Sequence, residues 1–212
     1  MAYSRQRKRS ACGARSMPVE TDVAALFVDA DGAYSGLVGV DVWGSDRDAR
    51  RYAGPYPVVA HPPCARWCRL AGLVEARWGH RRGEDDGSFA SALASVRRWG
   101  GVLEHPAYSD AWAAFGLSRP RREGWQRGTD GGWSCHVEQG RYGHAARKAT
   151  WLYYVGAETP PSMRWGAASA TAMVSWCGNH TRADERRRRI GHAEASATPP
   201  AFRDVLLAMA RA

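Results

Sequence analysis

Pro57-Val58-Val59-Ala60-His61-Pro62-Pro63-Cys64 is the stretch on which the fold turns. Its apolar run is short and continuous, as in a buried strand, and it runs straight into a proline pair. Neither proline can donate to a sheet ladder, and both stiffen the exit, so Cys64 sits where the chain leaves the sheet. In an open α/β sheet that rim is where ligands bind.

Working downstream, residues 65–87 read as a long loop rich in Arg and Trp. Ser88 is placed to cap a helix over 89–99, with Phe89, Leu93, Val96 and Trp99 on its apolar face. Gly100-Gly101 ends that helix, and Val102-Leu103-Glu104 forms the next strand, closing on His105-Pro106. Strand, helix and strand with short connections make a parallel crossover.

Upstream, Val23–Val28 and Val40–Trp43 read as two further strands, each ending in an acidic turn, with a brief helix over 48–52. Beyond Glu104 come a helix at 109–116, an Arg- and Gly-rich loop over 118–132, and a strand over Lys148–Val155. Thr198-Pro199-Pro200 precedes a final helix over 200–211. The expected class is a compact, doubly wound α/β fold with a mostly parallel sheet. The chain divides into a disordered basic tail (1–17), the α/β domain (18–156), a small irregular basic region (157–197) and a C-terminal helix (198–212).

Lys+Arg total 30 against 21 Asp+Glu, a formal charge of +9. Lys8 and Lys148 are the only lysines, so the charge is carried by arginine, whose planar fork suits phosphate. That balance favours a polyanionic partner. No apolar run approaches the roughly 18–20 residues that span a bilayer. Five cysteines, an odd number, with no secretory signal, favour a cytoplasmic chain with free thiols in a bacterial or phage setting.

Three strand ends fall in order: Pro62-Pro63-Cys64, then Glu104-His105-Pro106, then Gln139-Gly140-Arg141 with Arg147 behind. This order resembles the carbon-5 cytosine DNA methyltransferases, which place a Pro-Cys nucleophile, a Glu-Asn pair and a Gln-x-Arg-x-Arg motif at successive strand ends of a doubly wound sheet. The resemblance covers about residues 24–156. It implies that Cys64 attacks carbon 6 of a flipped-out cytosine in duplex DNA and that Glu104 holds ring nitrogen 3. Arg141 or Arg147 would then clamp the base and its phosphate. Carbon 5 of a pyrimidine is a poor nucleophile, so addition at carbon 6 is what activates it, and an acid at nitrogen 3 steadies the charge that develops.

The same resemblance implies S-adenosylmethionine as donor, near Phe27, Asp29, Gly32, Asp46 and Pro62. It puts Arg66, Trp67, Arg69, Gln139 and Lys148 on the nucleic acid, and calls for no metal. Two departures stand out. Phe27 is followed by Val28-Asp29-Ala30-Asp31-Gly32 rather than the family's Phe-x-Gly-x-Gly, and the short span to Cys64 leaves no room for the family's third strand. A related pyrimidine modification with another donor, or on a nucleotide, is the nearest alternative. A different class is a zinc-stabilised nucleic-acid-binding module on His61, Cys64, Cys177 and His180, with Cys68 and Cys135-His136 as spare ligands.

Overall fold

Val23–Leu26 (β1), Val58–Ala60 (β3) and Gly101–Pro106 (β4) are buried on both faces almost throughout, and only helices packed on both sides of a sheet produce that pattern. A computed structural model of the chain describes residues 20–68, 71–174 and 188–212. In it β1 pairs in parallel with β3 and with Val40–Trp43 (β2), and β3 pairs in parallel with β4. Beyond β4 the sheet changes character. Ala149–Val155 (β7) runs antiparallel to β4, Trp133–Glu138 (β6) antiparallel to β7, and Trp125–Arg127 (β5) antiparallel to β6.

The seven strands lie in the order β2-β1-β3-β4-β7-β6-β5. The sheet is therefore mixed, with its parallel half at one end, rather than mostly parallel. The expected loop over 118–132 and the segment before Gly143 hide an antiparallel hairpin, because β5 and β6 are rich in Trp, His and Gln and lack an apolar run.

Alternation sorts the strand side chains into two layers. Ala24, Leu26, Val58, Ala60 and Leu103 meet Phe89, Leu93 and Val96 of the helix Ser88–Trp99 (α2). Val23, Ala25, Val59 and Val102 meet Phe202, Leu206 and Met209 of the helix Pro200–Arg211 (α5). The final helix thus packs across the face opposite α2 and completes the two-sided layering.

The loop expected at 65–87 contains a helix, Ala71–Trp78 (α1), most of whose residues are exposed. Ser88 is the first residue of α2 rather than its cap. Asp85 does the capping: its Oδ2 accepts from the Phe89 backbone N–H at 2.8 Å and its Oδ1 from that of Gly87 at 3.1 Å. The same Oδ2 accepts from Trp67 Nε1 at 2.7 Å, so one carboxylate fastens both the start of α2 and the turn behind Cys64. Asp85→Ala is expected to lower stability by about 2 kcal/mol, read from the urea midpoint. An unchanged midpoint would remove Asp85 from this role.

At the end of α2, Gly101 has φ 108°, and a Cβ there would run into the Val58 carbonyl, so the entry into β4 requires glycine. The helix expected at 109–116 shortens to Ala111–Ala114 (α3). The region 157–197 carries two paired strands, Ala172–Val174 (β8) and Arg188–Ile190 (β9), and a short helix, His192–Ser196 (α4). The basic tail lies outside the described residues. Among the described residues no helix is long and apolar enough to cross a membrane.

Candidate active site at the switch point of the sheet

From β1 the chain moves outward to β2, then returns to the other side of β1 to lay down β3 and β4. The reversal leaves a crevice between the carboxyl ends of β1 and β3, the topological switch point where doubly wound sheets bind ligands. The backbone N–H of His61 donates to the Leu26 carbonyl at 3.0 Å there, which holds the two strand exits together. The parallel register pairs Ala60 with Leu103, so His61 and Glu104 leave their strands side by side.

A chain of hydrogen bonds crosses this rim. Tyr34, buried in the loop leaving β1, sets its hydroxyl 2.8 Å from His61 Nε2. His61 Nδ1 lies 2.9 Å from Glu104 Oε2. Gln139 Nε2 donates to Glu104 Oε1 and to Thr150 Oγ1, both at 3.0 Å. Thr150 in turn donates to the Lys148 carbonyl at 3.1 Å. Gln139 sits in the turn between β6 and β7, so four separate segments converge on one carboxylate. Both Glu104 oxygens are engaged, whereas Gln139 Oε1, fully buried, has no hydrogen-bond partner among the described residues.

Burial alone would raise the Glu104 carboxyl. The hydrogen bond and charge of His61, with Lys148 and His105, outweigh it and bring the group down to about 2. An ionised carboxylate can only accept, so the proton of the His61–Glu104 contact rests on Nδ1. Burial and Glu104 push the Tyr34 phenol up, so it stays protonated, with its hydroxyl in hydrogen-bond contact with His61 Nε2.

Cys64 is half-buried at the β3 exit. Burial, then Cys68 and Glu104, push its thiol above the usual 9.0, while Lys148 pulls it down. The Lys148 ammonium is itself lowered by burial and raised by Glu104 and Cys64. Thiol, carboxylate and ammonium therefore share one electrostatic neighbourhood. Lys148 reaches it from a left-handed backbone conformation (φ 43°), with Nζ donating to the Ser196 and Ala197 carbonyls at 2.7 and 2.8 Å.

The other expected site residues fall differently. Arg141 donates to the Ala167 carbonyl at 3.3 Å, and Arg147 pairs with Glu138 at 3.2 Å and donates to Ala168. Both guanidinium groups anchor the 164–168 segment to the β6–β7 turn instead of meeting the thiol, and Lys148, expected on nucleic acid, is the cation beside it. Gln139, also expected on nucleic acid, is buried and holds Glu104. Trp67 is a core residue, packed on Phe89 and Phe115, and is not free to stack on a base. Arg66 is half-buried in the same turn, and Arg69 lies outside the described residues.

At the expected donor site Phe27 packs against the α2 layer, Pro62 is buried, and Asp29 and Asp46 are exposed. The Asp29–Gly32 turn closes on itself through a 2.9 Å bond from Gly32 N–H to the Asp29 carbonyl. Tyr34, the next large side chain, fills the switch point by bonding His61. These residues do not fit S-adenosylmethionine: the crevice that would cradle it holds a phenol.

For a zinc site, both His61 nitrogens are engaged and Cys135 is buried in β6, while Cys177 and His180 lie outside the described residues. Tyr34 and Thr150 carried no signal in the sequence. His61 did, since it follows its apolar run as Glu104 follows its own. No family model matches the chain, and no curated protein or solved structure is similar to it.

Proposed function

We propose that this protein acts on cytosine in DNA by adding Cys64 to ring carbon 6, the chemistry of the carbon-5 cytosine methyltransferases it resembles. One observation carries the reading: a half-buried thiol just beyond β3 lies close enough to the buried carboxylate of Glu104 in β4 for that carboxylate to disfavour the thiolate. Cys64 gives up its proton to solvent, its sulfur bonds to carbon 6 as the double bond between carbons 5 and 6 opens, and that electron pair moves toward carbon 5. Lys148 balances the thiolate. Glu104 accepts from the exocyclic amino group, and the proton on His61 Nδ1 can pass to it when ring nitrogen 3 needs a donor. The net charge of +9 favours a DNA partner, held by phosphate contacts.

The addition step is testable without any donor. Once sulfur is on carbon 6, carbon 5 takes a proton from water, and reversal of the addition releases a base whose carbon-5 hydrogen has been exchanged. A cytosine oligonucleotide incubated with the protein in heavy water should gain one deuterium at carbon 5, read by nucleoside mass spectrometry. No gain above a protein-free control would sink the reading. The group placed on carbon 5 in cells is identified by the mass added to nucleosides from DNA of expressing cells.

A uracil ring is the second reading. An ionised Glu104 accepts from the N–H at ring nitrogen 3 of uracil with no proton transfer, and the same assay on a deoxyuridine oligonucleotide separates the two.

A further inference from the structure

The carboxyl end of β4 opens on a second feature, on the sheet face opposite Glu104. A cleft of about 240 Å³ is lined by Tyr108, Asp110, Trp112, Leu117, Arg119 and Trp151. Its floor is structural: Trp112 and Trp151 are buried and meet edge to face at 5.4 Å. Its mouth is not. Tyr108 is 39% exposed, and its ring stands 5.4 Å from Trp151 and 6.1 Å from His136. The Arg119 guanidinium lies 5.6 Å over Tyr108 and 6.0 Å from Trp151, and among the described residues it has no acidic partner. The one acid of the cleft, Asp110, is already paired with Arg82.

Tyr108 has φ 65°, a left-handed conformation that bulky side chains rarely adopt and that clusters at ligand sites. That conformation holds a large aromatic ring at the mouth of the cleft with part of its face open to water. The cleft is also tied to the thiol. The Asp110 backbone N–H donates at 3.0 Å to the carbonyl of Trp67, whose own N–H donates at 3.0 Å to that of Cys64.

We infer that the Tyr108–Arg119 cleft is a second binding site, which stacks an unpaired nucleobase on Tyr108 and takes its phosphate on Arg119. Aromatic faces beside an unpaired guanidinium suit that chemistry and are tolerant of base identity. Its place one turn from Cys64 fits the nucleotide next to the base under attack. The inference rests on the nucleic-acid part of the reading above and is independent of the thiol chemistry.

The test uses the full chain and a single-stranded oligonucleotide carrying 2-aminopurine beside one cytosine. Binding should quench the 2-aminopurine by stacking. Tyr108→Ala should abolish the quench and weaken binding roughly tenfold, while Tyr108→Trp keeps both. Arg119→Ala should weaken binding and reduce the salt slope by about one. Tyr108→Gly guards against a folding artefact, because it relieves the positive φ. Its melting temperature should equal or exceed that of the parent while its binding falls like that of Tyr108→Ala.

Titration with deoxycytidine monophosphate separates the sources of the ligand. Saturable binding that Tyr108→Ala and Arg119→Ala both weaken assigns a free nucleotide, and binding of the oligonucleotide alone assigns a strand. Quenching and binding are read without any exchange at carbon 5, so a failure of the thiol chemistry leaves this result standing. Should the parent not quench the probe, or Tyr108→Ala and Tyr108→Gly bind as tightly as the parent, the inference is overturned.

Discussion

Cys64→Ala should abolish deuterium exchange at carbon 5 of cytosine, a loss of at least about 10³-fold, while leaving the fold and the oligonucleotide affinity intact. The size follows from the step: without sulfur there is no bond to carbon 6, and carbon 5 gains no basicity that another residue could supply. The fold survives because the thiol is half-exposed at a loop rather than packed in the core. The exchange of the parent should also still be climbing with pH above 9, because burial, Cys68 and Glu104 disfavour the thiolate that attacks. Lys148→Met, which removes the cation that favours that thiolate, should move the climb to higher pH. Undiminished exchange in Cys64→Ala would assign the chemistry to another group, and a flat pH profile would remove ionisation of the thiol from it.

The parallel half of this molecule was legible because its strands announce themselves twice. Val23–Leu26, Val58–Ala60 and Gly101–Leu103 are apolar without alternation; the first two run straight into turns, while the third continues through Glu104 to Pro106. The same logic brought Cys64 and Glu104 forward as candidates, since each is a polar side chain close behind such a run. What was not legible depends on partners distant in sequence. The hairpin of β5 and β6 shows no apolar run, because its Trp, His and Gln side chains pack against β7 and the 161–165 segment.

Arg141 and Arg147 matched the expected pattern in order, yet both are drawn to carbonyls at 167 and 168, which no local spacing reveals. Trp67 carried the opposite lesson. An aromatic residue in an arginine-rich loop suggests stacking on a base, but the Asp85 carboxylate 18 residues on pulls its indole into the core.

The rim should also govern how the protein responds to acid, and Glu104 gives the largest expected effect on stability. Glu104→Gln replaces one acceptor with an N–H donor that must face either His61 Nδ1–H or Gln139 Nε2–H, both already donors in a buried place. A loss of about 3 kcal/mol at pH 7 is expected, from the urea midpoint, with exchange at carbon 5 slowed about 10²–10⁴-fold.

The pH dependence supplies the sharper check. The Glu104 carboxyl is lowered from 4.5 to about 2 in the native state, so its contribution is complete above about 4.5 and disappears as pH falls toward 2. His105 acts in an earlier window. It is fully buried between Phe89 and Trp112, and burial lowers it from 6.5 to about 4, with Glu104 and the nearby Pro63 carbonyl pulling the other way. Between those values the unfolded chain takes up a proton that the native state refuses, so stability already falls as pH drops from 6.5 to about 4. Each window is worth about 3 kcal/mol.

The parent should therefore lose stability in two overlapping stages. His105→Phe, which keeps an aromatic ring against Phe89, should remove the upper stage, and Glu104→Gln the lower. If urea midpoints from pH 7 to 3 fall alike in the parent and in Glu104→Gln, the carboxylate is not held ionised by His61. The hydrogen-bonded rim would then lose its charge, and with it the proton relay assigned to the site.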